Sequence, residues 1–253
     1  MITQYHRPQT LEEALIFLSQ PNTRVLGGGT VLSHLVNGSF SVVDLQALGL
    51  DTLRRSGNTL EIGGAAKLQT LHDSKYASEI LKTAIELDTT INLRTMGTVA
   101  GTLVTCDGRS PFGVLMLALD AKLSFEPGQL QVSLGNYFPL RTTYDISRPG
   151  QLIINIEIPL NVEVAFETIA RTPADKPIIC AALVQWSSGR NRLTLGGWGP
   201  APTLAFDGNE SAGLEEAARN AASEAADEWA SSEYRSEMAG VLANRCLENI
   251  SRV

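Results

Sequence analysis

RVLGGGTVL, residues 24–32, is the stretch whose reading decides the fold. Arg24-Val25-Leu26 has the make-up of a short strand. Gly27, Gly28 and Gly29 follow it. Thr30 and a second apolar run, with Val31, Leu32, Leu35 and Val36, predict a short helix leaving the loop. Ordering three glycines costs much backbone entropy, so a turn or a ligand should require them. Strand, glycine loop and helix start together present backbone N–H groups to an anion. Glycine removes the Cβ that would hold a phosphate away, and Thr30 adds a hydroxyl donor. Two familiar phosphate motifs are absent. G-x-G-x-x-G would need glycine at Leu32, and the G-x-x-x-x-G-K-[ST] loop would need a lysine. Taken alone, the stretch stays open between a plain turn and a phosphate cradle.

A second small-residue stretch, MGTVAGT at 96–102, shifts the balance. A diphosphate needs many donors, and two separate backbone nests around it would supply them without a lysine. Outward from the two stretches the chain alternates between helix and strand. Thr10 and Glu13 form a capping box before Leu11, Ala14, Leu15 and Leu18, which fall at helical spacing. Pro21 and Asn22 end that helix. Residues 41–45 and 59–62 read as strands, with Gly63-Gly64 as a turn. Residues 67–91 read as helical, with Leu81, Ala84, Ile85 and Asp88 among the positions. Residues 92–113 show no period of their own, and 115–119 form an apolar helix-like run ending at Asp120. Strands are expected at 122–125, 129–134, 152–158, 162–170, 178–186 and 192–195. From Ser211 the composition turns to Ala/Glu-rich helix, where Tyr234, Met238, Val241 and Leu242 make one apolar face.

With 253 residues and 43% hydrophobic content, the chain can bury one or two cores. Its 22 glycines suit an α+β protein rather than a helix bundle. A net charge of −7 without a Lys/Arg cluster argues against nucleic acid and anionic membranes. No apolar run reaches membrane-spanning length, and residues 1–10 hold no signal-peptide core; the expectation is a cytoplasmic protein. Cys106, Cys180 and Cys246 are far apart with no C-x-x-C, so no usual zinc or iron–sulfur motif exists. His6, His34 and His72 are equally scattered, and a metal site is not expected. Asp107 and Arg109 read as a surface ion pair rather than a catalytic pair. Cys106 reads as a small packed residue, and Trp186 and Trp198 as core cover.

The sequence resembles the FAD-binding medium subunit of the molybdenum hydroxylases: the xanthine dehydrogenase, carbon monoxide dehydrogenase and aldehyde oxidoreductase group. The likeness runs nearly end to end. It begins at Tyr5-His6-Arg7-Pro8. LGGGTVL (26–32) stands where the family has A-G-G-T-D-L, and NLRTMGTVAGTL (92–103) is similar to I-R-N-x-G-T-I-G-G-N-L. LALDA (117–121), LIINIEIP (152–159), GGWGPAPTLA (196–205) and SSEYRSEMAGVLANRCLE (231–248) follow in order. The resemblance implies an α+β fold of the vanillyl-alcohol-oxidase and p-cresol-methylhydroxylase type with a small C-terminal α/β domain. It implies an FAD-binding domain over 1–165, with subdomains of about 1–57 and 58–165, and a C-terminal domain over 166–253.

The same resemblance implies FAD as cofactor. Its contacts would come from Leu26, Gly27, Gly28, Gly29, Thr30, Val31 and Leu32, from Thr98, Val99, Ala100, Gly101 and Thr102, and from Asp107. Ile153 would lie near the flavin or its adenine. It implies two partners, an iron–sulfur subunit and a large molybdopterin subunit, with NAD+ or another electron acceptor. No catalytic residue acting on the substrate is expected on this chain. The sequence departs from the family pattern at Val31 for aspartate, Thr102 for asparagine, Pro111 for aspartate, and Glu167 for a basic residue. Three readings stay open. The chain is an electron-transfer flavoprotein subunit, a flavin-free structural subunit of such a complex, or a stand-alone flavin oxidase or reductase of the same fold.

Overall fold

The structure, a computed structural model, describes residues 1–33, 38–141, 150–173 and 175–251. β1 (Ile2–His6) opens the chain. It carries no sequence signal, because four of its five side chains are exposed and no alternation results. α1 (Leu11–Leu18) begins where the capping box places it: the Glu13 N–H donates to the Thr10 hydroxyl at 3.2 Å. The Glu13 carboxylate in turn accepts the Gln9 N–H at 3.0 Å. Asn22, at φ 56°, turns the chain into β2 (Thr23–Leu26). β3 (Phe40–Asp44) pairs in parallel with both, giving a three-stranded sheet of order β1-β3-β2. Of the helix expected after the glycines, Val31 and Leu32 lie in a turn, whereas His34, Leu35 and Val36 fall outside the described residues.

β4 (Leu53–Ser56) and β5 (Thr59–Gly63) make an antiparallel hairpin. The single helical pattern expected over 67–91 is two helices, α2 (Leu68–His72) and α3 (Glu79–Asp88). Ser78 restarts the second by accepting the Leu81 N–H at 3.2 Å. Residues 92–113, expected to lack period, hold most of α4 (Ile91–Met96), all of α5 (Val99–Thr105) and the start of α6 (Pro111–Ala118). Each spans about two turns. α4 buries no side chain and α6 buries all eight, so neither shows the two-faced contrast that periodicity reads. α6 is announced instead by its ends: Ser110 accepts the Gly113 N–H at 2.9 Å, and Pro111 takes the first turn.

β6 (Lys122–Glu126), β7 (Leu130–Ser133), α7 (Leu134–Leu140) and β8 (Leu152–Pro159) follow. The strand expected over 129–134 stops at Ser133, whose hydroxyl caps α7 through the Asn136 N–H at 3.3 Å. These strands complete a five-stranded sheet of order β4-β5-β8-β6-β7. Then come β9 (Val162–Ile169), β10 (Ile179–Trp186), β11 (Asn191–Gly196), β12 (Thr203–Gly208), α8 (Leu214–Ala221) and α9 (Ser232–Ser251). No helix among the described residues is long and apolar enough to cross a membrane.

The chain forms two compact units. The first comprises Met1–Tyr76, Thr90–Thr105 and Lys122–Ile158; the second comprises Ala77–Thr89, Cys106–Ala121 and Pro159–Val253. In the first, Ala14 and Leu18 of α1 pack with Val43, Leu45, Ala65 and Leu152. In the second, the antiparallel sheet β12-β11-β10-β9 is covered on both faces. Ala181, Leu183, Leu193 and Leu195 face α8 and α9, through Leu214, Ala218, Ala239, Leu242, Ala243 and Cys246. Alternate positions face α6: the Thr194 hydroxyl donates to the Val114 carbonyl at 2.8 Å, and the Arg192 Nε to that of Leu117 at 3.1 Å. A strand buried on both sides reads as a continuous apolar run, which is how β10 reads.

The apolar face expected on α9 holds in part, since Leu242 is buried and Met238 packs against the core. Tyr234 is 40% exposed, and the buried positions are Arg235, Ala239, Gly240, Leu242, Ala243, Cys246 and Ile250. Arg235 breaks the pattern because its guanidinium is fully engaged. It donates to the carbonyls of Ile178 at 3.0 Å, Ala225 at 2.5 Å and Gly197 at 3.2 Å, and to the Asp227 carboxylate at 2.9 Å. Burying a charge is tolerated when it is paired and hydrogen-bonded throughout.

Candidate functional site

Both small-residue stretches reach one cavity of about 460 Å³, and every lining residue belongs to the first unit. That volume lies in the usual range for small-molecule sites. One part of the wall is the glycine loop: Gly27, Gly28, Gly29, Thr30, Val31 and Leu32. Another is Thr98, Ala100, Gly101 and Thr102, and Ile153 lines it as well. Three residues expected at the cofactor do not line the cavity. Leu26 lies behind Gly29, and Val99 is fully buried in the core. Asp107 lies in the second unit, where it accepts the Arg109 N–H at 2.9 Å and pairs with Lys176 at 3.8 Å.

The expected Asp107–Arg109 ion pair is therefore replaced. The Arg109 guanidinium stands over the Trp229 ring at 4.6 Å and donates to the Lys176 carbonyl at 3.3 Å. Cys106 is buried, as a packed residue would be. Trp198 packs on the core of the second unit, and Trp186 lies under Arg190, 4.8 Å from the ring centre. Pro111 sits in the first turn of α6, and Glu167 accepts from Asn249 at 2.8 Å.

Each of the three glycines has a reason in the fold. A Cβ on Gly28 would stand 2.0 Å from the Met96 carbonyl oxygen, so the two stretches touch backbone to backbone. On Gly27 it would press on Thr98 at 3.0 Å. Gly29 has φ +71°, a conformation that side chains disfavour. Close approach to protein, rather than to a ligand, is what excludes side chains at the first two positions.

Hydrogen-bond accounting separates the two stretches. Among the described residues, the N–H groups of Gly27, Gly28, Gly29 and Thr30 donate to no backbone or side-chain acceptor. The second stretch is committed at three of its N–H groups, while those of Thr98 and Ala100 donate to no acceptor among the described residues. Val99 donates to the Ala66 carbonyl at 2.8 Å, Gly101 to the Thr98 hydroxyl at 3.1 Å, and Thr102 to the Thr98 carbonyl at 2.9 Å. The Thr102 hydroxyl also donates to the Thr98 carbonyl, at 3.0 Å. The first stretch thus offers four adjacent donors, and the second offers two, on Thr98 and Ala100.

The rest of the wall is largely apolar. Leu18, Val25, Leu45, Phe125, Leu130, Val132 and Leu152 line it, together with Tyr137, whose ring lies 5.9 Å from that of Phe125. A Cβ on Gly64 would stand 2.0 Å from the Ile153 carbonyl oxygen, so that glycine lets β8 reach the wall. Arg24 is the one charged side chain among the described lining residues, and its guanidinium stands 4.5 Å from the Phe40 ring centre.

Sequence reasoning passed over Lys67. Its ammonium, from behind the loops, donates to the Met96 carbonyl at 2.8 Å and to the Gly27 carbonyl at 3.2 Å. Its backbone forms an isolated antiparallel bridge with Thr98. Burial holds this amine below the usual lysine range, and the negative charges of Asp44 and Asp51 pull the other way. The available signal was a lone lysine inside the buried run Ala65, Ala66, Leu68.

Comparison with known proteins gives a consistent picture. The family model described as "FAD binding domain in molybdopterin dehydrogenase" matches residues 1–161. The 6-hydroxypseudooxynicotine dehydrogenase complex subunit alpha of Paenarthrobacter nicotinovorans is 28% identical over 75% of this chain and 71% of its own. The carbon monoxide dehydrogenase medium chain of Afipia carboxidovorans is 26% identical over 96% of this chain and 95% of its own. A chain in the solved structure of reconstituted CO dehydrogenase from Oligotropha carboxidovorans matches with a TM-score of 0.80 at 25% identity. That match covers 99% of this chain and 98% of the other.

Proposed function

The chain belongs to the family of FAD-binding domains in molybdopterin dehydrogenases, and on that premise we propose that it is the electron-transfer medium subunit of a molybdenum hydroxylase complex. It takes electrons from an iron–sulfur subunit, which is reduced by a large molybdopterin subunit, and passes them to NAD+ or another acceptor in the cytoplasm. Curated relatives named as a complex subunit and as a medium chain support such an assembly. The fold reading that goes with it is the vanillyl-alcohol-oxidase and p-cresol-methylhydroxylase type. The flavin domain would span 1–165 and a C-terminal domain 166–253.

The residues present fit FAD. The single observation that carries the reading is four adjacent N–H groups, at 27–30, that no described residue uses and that border an apolar cavity. Bound FAD supplies reversible two-electron redox chemistry, which no side chain here could supply. The chain's own part is to bind, orient and exclude water. Gly28, Gly29 and Thr30 hold the diphosphate through backbone N–H groups, with the Thr30 hydroxyl as a further donor. Phe125, Tyr137 and Ile153 keep water from the apolar part of the cavity.

The second reading, a flavin-free structural subunit, draws on the committed N–H groups of Val99, Gly101 and Thr102. The visible absorption spectrum of the purified chain, before and after adding FAD, tests both. Flavin bands that co-elute with protein are expected. A chain that stays colourless in excess FAD supports the structural reading and ends the electron-transfer one.

A further inference from the structure

We propose that Lys67 is a positioning residue for anion recognition: from outside the cavity, its ammonium fixes the two loops so that the glycine-loop amides face the ligand. The inference rests on the flavin reading above and adds a determinant that the two loops themselves do not contain.

The geometry starts from the planar trans peptide, in which the carbonyl of one residue and the N–H of the next point in opposite directions. Lys67 takes the Gly27 carbonyl at 3.2 Å. The Gly28 N–H in the same peptide plane is thereby aimed away from Lys67, whereas Gly27 and Gly28 line the cavity and Lys67 does not. The second bond, to the Met96 carbonyl at 2.8 Å, anchors the ammonium on the other stretch. There the following N–H, of Gly97, already donates to the Leu93 carbonyl at 2.6 Å. Only the first bond therefore directs a free donor.

A cation on a carbonyl polarises the whole peptide group and strengthens its N–H as a donor. The absence of a Cβ at Gly28 brings the two loops close enough for one amine to reach both carbonyls. The P-loop places its lysine directly on the phosphates. Here the lysine would act through a peptide. A flexible four-carbon stem and a compact ammonium suit that indirect role, since the donor rotates to satisfy two acceptors.

The test uses the full-length chain with FAD and with ADP, which carries the diphosphate without the flavin. Wild type, Lys67→Met and Lys67→Arg are titrated by calorimetry, and each is melted without ligand. Lys67→Met is expected to weaken both ligands by about tenfold, the worth of one charge-assisted hydrogen bond. Lys67→Arg should stay within about threefold of wild type, because it keeps a cation able to reach two carbonyls. A Lys67→Met protein that binds FAD and ADP as wild type does overturns the inference and leaves the flavin reading standing. A loss confined to FAD also overturns it, since the lysine would then act away from the diphosphate. So does a ligand-free melting point lowered by more than about 4 °C, which would assign the effect to the fold. Wild type that binds neither ligand removes the flavin reading and this inference together.

Discussion

The two small-residue stretches at the cavity are nearly alike in composition and unequal in what they offer. Residues 27–30 carry N–H groups that no described residue uses. Of residues 98–102, Val99 donates to Ala66, and Gly101 and Thr102 donate to Thr98, which leaves the Thr98 and Ala100 N–H groups unused among the described residues. Glycine and threonine content therefore signals close packing; it does not count donors. What decides is where each amide's hydrogen bond already goes.

The largest effect expected from breaking this contrast is at Gly28. Gly28→Ala drives a methyl to 2.0 Å from the Met96 carbonyl oxygen, which is backbone and cannot yield cheaply. Overpacking of this kind costs about 3 kcal/mol, and thermal unfolding should fall by about 6–12 °C. An unchanged melting point would mean that the two loops are not in backbone contact.

The next prediction concerns a group in the second unit. Burial raises the Asp88 carboxyl to about 6, against a hydrogen bond from Ser110 and the Lys176 charge, with Asp107 raising it further. A native value above the unfolded one favours folding fully below about pH 4, and that stability is lost as pH rises through about 6. The loss is at most about 3 kcal/mol. Asp88→Asn should unfold at wild-type temperatures near pH 4 and several degrees higher at pH 8, measured by thermal melts across that range. The same melting difference at both pH values would overturn the assignment.

The smallest effect sharpens the comparison most directly. Among the described residues the Thr30 hydroxyl has no partner, whereas that of Thr102 is already bonded to the Thr98 carbonyl. Thr30→Val should weaken FAD about fivefold, about one hydrogen bond, and Thr102→Val should leave it within about twofold. Calorimetric titration of both variants reads this, and equal losses would mean that both stretches donate.

Much of the molecule was legible in sequence where local chemistry was enough. The Thr10 cap and the start of α1 agree to the residue, although the helix ends at Leu18, before Pro21 and Asn22; strands β8, β9 and β10 agree within about one residue, because both are marked by nearest neighbours. The edge strands β1, β4 and β12 went unread, because half-exposed or exposed strands carry no strong alternation. The short helices α4 and α5 went unread, and α6 was read only in its second half, because two turns are too few for a period. At the site, the glycine loop, Thr98, Thr102 and Ile153 were legible as candidates and do line one cavity. Lys67 was not, since its partners lie 40 and 29 residues away.

The sequence by itself determined the family and the local conformations: a strand entering three glycines, a capped first helix, and in β10 a strand that reads as an unbroken apolar run. Those follow from torsional preference and from burial, which act over a few residues. Only the tertiary structure decided which amides stay unspent and which lysine stands behind them. A hydrogen bond to Ala66, or an ammonium shared by Gly27 and Met96, depends on what distant segments bring within about 3 Å, and no local pattern encodes that.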